Sequence, residues 1–135
     1  MITPSQAGSV LRGEVTRFNA LLPAGVSWPT SLPDFLKEKD VKMDASVPRA
    51  IASIYWLCAW EDSYVTAVDE KNDTQASASL KEIAKFVELP FYKEQFVDPE
   101  GAWLKNVLQK AQSGDASGVR EDLQQCGYFQ ENNPA

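Results

Sequence analysis

The chain has 135 residues, no histidine and a net charge of −6. This length fits one domain, and 44% hydrophobic residues with four tryptophans supply enough apolar surface for a core. The acidity argues against nucleic acid or an anionic membrane as a partner, because phosphate binding needs clustered basic residues, and the 13 lysines and arginines are scattered.

Neither a membrane span nor a secretory leader is predicted. No stretch reaches the roughly 18 consecutive apolar residues that a transmembrane helix needs. The N-terminal sequence Met-Ile-Thr-Pro-Ser-Gln lacks the basic and apolar regions of a signal peptide. If the protein is exported, we expect a leader upstream of Met1.

The first predicted helix begins at Thr3, with Pro4 in its first helical position, and ends at Pro23 and Gly25. Its apolar face consists of Leu11, Val15, Phe18 and Leu22. The connection 23–46 is long for a compact domain and is predicted to pack over the core. Its predicted anchors are Trp28, Leu32, Phe35 and Leu36.

The second predicted helix, about 46–71, is apolar around most of its circumference. Pro48 suits its first turn, and Asn72-Asp73 ends it. Projection at about 100° per residue gives a wide apolar arc of Val47, Ala50, Ile51, Ile54, Leu57, Cys58, Tyr64, Val65 and Val68. The opposite side carries Ala52, Trp56, Ala59, Trp60 and Ala67. This distribution is typical of a helix at the centre of a bundle.

Further helical segments follow, each marked by its capping residues. The predicted segments are 73–88, 91–96, 98–114 and 117–126. Asp73 or Thr74 caps the first, Asp98-Pro99 begins the third, and Gly114 ends it. Their predicted buried residues are Leu80, Ile83, Ala84, Val87, Leu104, Val107, Leu108, Ala111, Val119, Leu123 and Cys126.

No segment alternates apolar and polar residues over strand length, so no sheet is predicted. We predict an all-α fold: an irregular bundle of about five helices around the central helix 46–71. The whole chain, 1–135, is predicted to form this single helical domain.

Glu61 lies near the middle of the apolar arc of the central helix. A carboxylate that faces a core is costly unless it is paired, hydrogen-bonded or protonated. Its candidate partners are Arg12, Arg17, Arg120, a tyrosine hydroxyl, a tryptophan N–H or a ligand. Two interpretations are open: a structural ion pair or water-facing residue, which is the commoner case, and the polar anchor of a ligand pocket lined by Ile54, Leu57 and Tyr64.

Trp56 and Trp60 lie one helical turn apart and allow two interpretations. With Trp28 they are candidates for an exposed recognition patch, because tryptophan is enriched at binding hot spots. Burial in the core is the favoured alternative, since large aromatic side chains usually supply core area.

Cys58 and Cys126 are predicted to lie on apolar helix faces that touch. They are either buried free thiols or a disulfide that fixes the last helix to the central one, and we favour the disulfide. A bridge would indicate an oxidising compartment. Two distant cysteines without histidine do not predict a zinc site.

The sequence predicts no catalytic residue, metal or cofactor. The lack of histidine removes the commonest general base and metal ligand, and no phosphate-binding, dinucleotide-binding or calcium-binding motif is present. We therefore expect a non-enzymatic helical domain that binds a protein partner, as an extracytoplasmic part of a secreted or membrane-anchored protein. The alternatives are a cytoplasmic location, and a small-ligand-binding domain or unconventional enzyme with a pocket at Glu61. The candidate binding residues are Trp28, Trp56, Trp60, Glu61 and Tyr64.

Overall fold

The computed structural model describes Leu11, Gly13 and residues 22–29 and 46–134, and the regular structure of this part is entirely helical. The α-helices are α1 (Ser46–Asp69), α2 (Asp73–Ala84), α3 (Pro90–Glu94), α4 (102–112), α5 (Ser117–Leu123) and α6 (Gly127–Asn132). Short 3₁₀ helices cover Lys85–Glu88 and Pro99–Gly101, and α4 includes a π-helical segment, Leu104–Gln109. The all-α prediction is confirmed. Most of the predicted first helix and the anchors Leu32, Phe35 and Leu36 lie outside the described residues.

The central helix forms as predicted. α1 runs for 24 residues without a break and packs against α2, α3, α5 and α6. Its apolar residues on both sides explain this position, because each side buries apolar area against a different neighbour. Neither α1 nor any other described helix combines the length and hydropathy needed to cross a membrane.

A sharp corner joins α1 to α2. Lys71 adopts the left-handed conformation, with φ of 59°, and Asn72 caps α2 through its Oδ1 atom, which accepts the Gln75 N–H at 3.1 Å. The cap is thus Asn72 rather than Asp73 or Thr74, because the Asn72 side chain reaches an amide of the first turn. Ser63 and the buried Ser79 share a hydroxyl hydrogen bond of 2.9 Å between the two helices.

The larger apolar cluster is centred on Phe86, which is fully buried in the 3₁₀ helix after α2. Its ring contacts those of Phe91, Tyr92, Phe96 and Trp103, with centroids 5.0–6.1 Å apart. Asp98 holds the start of α4: Oδ1 accepts the Trp103 backbone N–H at 2.7 Å, and Oδ2 accepts the Tyr92 hydroxyl at 2.6 Å. This matches the predicted helix restart at Asp98-Pro99.

α4 and α5 approach so closely that their backbones touch at Gly118. Gly114 ends α4 with φ of 101°, as predicted. Gly118 of α5 then lies directly against the π-helical segment, where an added Cβ would come within 2.9 Å of the Asn106 carbonyl carbon. Only glycine permits this approach.

A second apolar cluster joins α1 to α6, a helix that the sequence prediction missed. The prediction ended the last helix before Gly127, whereas α6 begins there and buries Phe129 against Tyr55. The Tyr55 hydroxyl accepts the Asn133 side-chain N–H at 2.8 Å and donates to the Ser27 carbonyl at 2.7 Å. α5 does end before Gly127, at Leu123, and packing of the aromatic residue Phe129 against Tyr55 supports a new helix after it.

Candidate functional site

A disulfide and a buried carboxyl lie side by side where α1 meets the turn before α6. Cys58 and Cys126 are joined by a disulfide bond that closes 68 residues of sequence separation. Glu61 lies three residues after Cys58 on the same face of α1, and its side chain is 0% exposed. The structure thus brings Glu61 next to the Cys58–Cys126 pair, whereas the sequence analysis considered the carboxylate and the two cysteines separately.

Glu61 makes almost no polar contacts with the described residues. Its Oε1 atom lies 3.8 Å from the Cys126 sulfur, which carries no proton in a disulfide and offers only a weak contact. Its Oε2 atom is buried and has no hydrogen-bond partner among these residues. Asp122, whose Oδ2 accepts the Trp103 indole N–H at 3.2 Å, is the nearby carboxylate.

This environment favours the protonated form of Glu61. Burial is the largest cause that raises its pKa well above 4.5, and Asp122 adds to it, both as an acceptor for the acid proton and through its negative charge. Because Oε2 lacks a partner within normal hydrogen-bond distance, we assign Asp122 the smaller, longer-range part of this effect. Desolvation is therefore the main reason that the protonated carboxyl is favoured.

Arg120, one of the candidate partners of Glu61, does not pair with it. Arg120 pairs instead with Asp69 at the surface, where both side chains are substantially exposed. The other two predicted arginine partners, Arg12 and Arg17, lie outside the described residues. Within the described part of the chain, Glu61 is consequently a buried acid rather than half of a salt bridge.

The raised pKa of Glu61 predicts that stability falls as pH rises. Above the unfolded-state value of 4.5 the folded state binds more protons than the unfolded state, so the free energy of unfolding should fall by up to about 1.4 kcal/mol per pH unit. Glu61→Gln, which mimics the neutral acid, should remove most of this slope and be more stable than the wild type at neutral pH. Urea unfolding between about pH 5 and pH 8 measures both effects.

The effect of Glu61 on the pH dependence of stability can be separated from the effects of other carboxyl groups. Asp62 is exposed, so the raised pKa that partial desolvation gives it adds only a small slope of the same sign. Asp69, Asp98 and Asp115 have lowered pKa values and lose their stabilising effect only in more acidic solution. Glu70→Gln, at an exposed glutamate just after α1, is the matched control and should retain the wild-type slope. Parallel pH profiles for the wild type and Glu61→Gln would contradict a buried neutral acid.

An apolar cavity of about 350 Å³ opens beside the disulfide. One wall is the first three turns of α1, the other is the start of α6, and Gln95 also belongs to the lining. The residues that line these two walls include Val47, Ile51, Ile54, Cys58, Cys126 and Tyr128. Val47, Ile51, Ile54 and Cys58 follow one another at helical spacing along the predicted apolar arc, which explains why a single stripe of α1 forms a continuous wall.

Gln95 supplies the polar feature of this cavity. Its Nε2 atom donates to the Ser46 carbonyl at 3.2 Å. Because a carbonyl only accepts, this bond fixes which end of the amide is nitrogen. The Oε1 atom is then a buried acceptor with no hydrogen-bond partner among the described residues.

The sequence-predicted binding residues do not gather at one surface. Trp56 is fully buried, and Trp28 and Trp60 are partly buried against the core clusters. Tyr64 is buried in the larger cluster, away from the cavity lining. Of the pocket predicted around Glu61, only Ile54 lines the cavity beside the disulfide, and Glu61 itself does not. An exposed Trp56/Trp60 patch is therefore not supported.

Sequence reasoning missed Gln95 and the α6 side of the cavity. Gln95 follows a short helix and reaches the start of α1 across 49 residues of sequence, a contact that local periodicity does not encode. The adjacent aromatic pair Tyr128 and Phe129 was the available signal for α6, since two neighbouring large aromatic side chains favour burial.

The cluster of Cys58, Glu61 and Cys126 contains the donor types of a metal site. One ligand atom from each residue lies within 4.8 Å of the other two, and all three residues are buried. In the disulfide form the sulfurs are bonded to each other and are not thiolate ligands. The arrangement gains metal-binding chemistry only after reduction.

Comparison of the chain with protein-family models, curated protein sequences and solved structures finds no significant match.

Proposed function

We propose that the protein is a non-enzymatic binding domain that takes up a small apolar molecule bearing one hydrogen-bond donor, in the cavity beside the Cys58–Cys126 disulfide. The proposal rests on a mainly apolar cavity whose lining includes Gln95, and on the Gln95 Oε1 atom, which is buried and has no hydrogen-bond partner among the described residues. Ligand sites in proteins commonly combine an apolar lining with a few fixed polar groups.

The size and lining of the cavity support a small ligand. A volume of about 350 Å³ lies at the lower end of the 300–1,000 Å³ typical of ligand pockets. Val47 and Ile51 line it while remaining partly exposed and outside the described core clusters. An apolar guest would remove this surface from water, which contributes about 25 cal/mol for each Å² buried.

The unpaired acceptor defines the polar part of the ligand. A buried carbonyl oxygen without a partner costs about 1–3 kcal/mol, and a hydroxyl or amide N–H on the guest would offset that cost. One Gln95 amide N–H already donates to the Ser46 carbonyl, so the oxygen is the atom of this amide that lacks a partner among the described residues. The ligand is therefore a neutral, mainly apolar donor rather than an anion.

A protein-recognition face at the tryptophans has less support. Trp56 is inaccessible, and Val97 is the only large apolar side chain that the described residues leave highly exposed. A single exposed valine is ordinary for a protein surface. The cavity therefore carries the binding function in this proposal.

We also propose an oxidising, extracytoplasmic location. The disulfide supports this, since such bonds persist mainly outside the reducing cytosol. The bridge forms part of the cavity lining, so the same compartment would preserve the binding site.

Titration calorimetry with 2-naphthol tests the proposal. We expect one molecule to bind with a Kd of roughly 10 µM to 1 mM. Its methyl ether, 2-methoxynaphthalene, lacks the donor and should bind about tenfold more weakly. Gln95→Leu should abolish this difference, because the acceptor is gone.

A blocking variant provides the control. Ile51→Trp places a larger ring in the cavity and should weaken 2-naphthol binding by about tenfold or more, whereas Val97→Trp, outside the lining, should bind as the wild type does. Equal affinities for all three proteins, or no saturable binding, would contradict the proposed function.

A further inference from the structure

Three side chains beside the cavity carry atoms that can bind a metal ion, but two of these atoms are the sulfurs joined in the disulfide. Cys58 and Glu61 project from one face of α1, and Cys126 approaches from the turn before α6. Their ligand atoms lie within 4.8 Å of one another, and the residues are 2%, 0% and 5% exposed, respectively. No other such group of three occurs among the described residues.

We infer that reduction of the Cys58–Cys126 disulfide converts this cluster into a Zn²⁺ site formed by Cys58 Sγ, Cys126 Sγ and a Glu61 carboxylate oxygen. In this form the metal replaces the covalent bond as the link between α1 and the C-terminal segment. The inference does not depend on the proposed ligand in the cavity.

The donor chemistry selects zinc. Two thiolates and one carboxylate are ordinary Zn²⁺ ligands, whereas Ca²⁺ and Mg²⁺ require sets made of oxygen. Zn–S bonds of about 2.3 Å in a tetrahedron place two sulfurs about 3.7 Å apart. Glu61 Oε1 and Cys126 Sγ are already 3.8 Å apart, so this pair needs little movement.

The second carboxyl oxygen of Glu61 also favours a bound ligand. Its Oε2 atom is fully buried with no hydrogen-bond partner among the described residues. A cation bound to the Glu61 carboxylate would compensate for this missing partner, and water would complete the fourth position of the tetrahedron. Since both cysteines belong to the cavity lining, we expect a small thiol and a metal ion to reach the site from the cavity.

The disulfide is converted into the Zn²⁺ site in two balanced steps. A small dithiol reduces the bridge: its two sulfurs become a disulfide, and Cys58 and Cys126 each gain a proton and become thiols. Zn²⁺ then binds both sulfurs and the Glu61 carboxylate, and the two thiol protons, with any proton on Glu61, leave to solvent. No further oxidant or reductant is required.

Cobalt and zinc titrations of the reduced full chain test this site. The protein is reduced with a phosphine, which becomes the phosphine oxide, and is then desalted without oxygen. One equivalent of Co²⁺ should give the visible bands of tetrahedral cobalt and a sulfur-to-cobalt charge-transfer band, and one equivalent of Zn²⁺ should remove both. The untreated, disulfide-bonded protein should give neither band.

Variants distinguish this site from adventitious binding by two thiols. Glu61→Gln should weaken Zn²⁺ affinity by roughly tenfold or more and shift the cobalt bands, while Glu70→Gln, at an exposed position, should do neither. Equal zinc affinity in the wild type and Glu61→Gln would overturn the proposal, as would the lack of a charge-transfer band in the reduced wild type.

Circular dichroism covers the case in which the reduced chain unfolds. If helicity is lost on reduction, Zn²⁺ should restore it in the wild type and in Glu70→Gln, but not in Cys126→Ser. Failure of Zn²⁺ to restore the wild type would also overturn the proposal. Failure of 2-naphthol binding to the oxidised protein would leave this result unaffected, so the two proposals fail separately.

Discussion

Replacing Gly118 by alanine is expected to lower the free energy of unfolding by about 3 kcal/mol or more. The added Cβ would lie 2.9 Å from the Asn106 carbonyl carbon, closer still to its oxygen, and 3.1 Å from the Val107 Cα atom. These are backbone atoms of the π-helical segment of α4, so no side-chain rotation can relieve the clash. α4 and α5 would have to separate.

Separation of these helices would also disturb the core. Val107 and Val119 are buried in the larger cluster, on the two helices that Gly118 brings together. Movement by even part of a methyl diameter would leave gaps in tight packing. The large effect therefore combines direct overlap with loss of neighbouring apolar contacts.

Chemical denaturation of the variant measures this loss. Gly127→Ala is the matched control, because an added Cβ there meets nothing within 4 Å and the residue does not have a positive φ. The control should leave stability unchanged or raise it by up to about 1 kcal/mol, since alanine favours the helix. Similar stabilities for the two variants would refute the close approach of α4 and α5.

Loss of the disulfide should have an effect of similar size. The bond joins residues 68 positions apart, and the loop-entropy model assigns a closed loop of this length about 4 kcal/mol at 25 °C. The Cys58→Ala/Cys126→Ala double variant should lose most of this free energy. It also leaves small apolar side chains in a buried site and avoids new unpaired polar groups.

Urea unfolding at matched pH gives the size of the effect. The variant should show a lower midpoint and a larger m-value, because its unfolded chain is no longer cross-linked and exposes more surface. The chelated, reduced wild type is the second comparison and should behave like the variant. A loss below about 1 kcal/mol in both would show that the bridge constrains the unfolded state far less than the loop model requires.

The central helix and the position of the Glu61 carboxyl on its apolar arc could be predicted from sequence. A long apolar segment with Pro48 near its start and Asn72 after its end has few alternatives to a buried helix, and α1 spans Ser46–Asp69. Because a helix repeats every 3.6 residues, the position of Glu61 on the apolar arc followed directly. The structure confirms its burial.

The state of the cysteines could be only partly predicted. Burial on apolar helix faces fits a thiol and a disulfide equally well, and the choice depends on how closely α1 and the C-terminal segment approach. The structure places the two Cα atoms 5.9 Å apart, within the range of disulfides. This distance depends on tertiary packing, which helical periodicity does not encode.

The cavity could not be predicted, because its parts come together only through long-range packing. Its walls combine α1, α6 and Gln95, and α6 was not predicted, because the last predicted segment ended at residue 126. Sequence patterns report which face of one helix is apolar, but not whether the neighbouring helix covers that face fully. Here α6 covers the Ile51 face only in part.

The most direct test of the binding account is where a bound guest sits. Nuclear Overhauser effects from 2-naphthol to isotope-labelled protein should reach the methyl groups of Val47, Ile51 and Ile54, which line the cavity. The hydroxyl should shift the Gln95 side-chain signals. Contacts confined to residues elsewhere, such as Lys81 on α2, or no contacts at saturating 2-naphthol, would contradict the account.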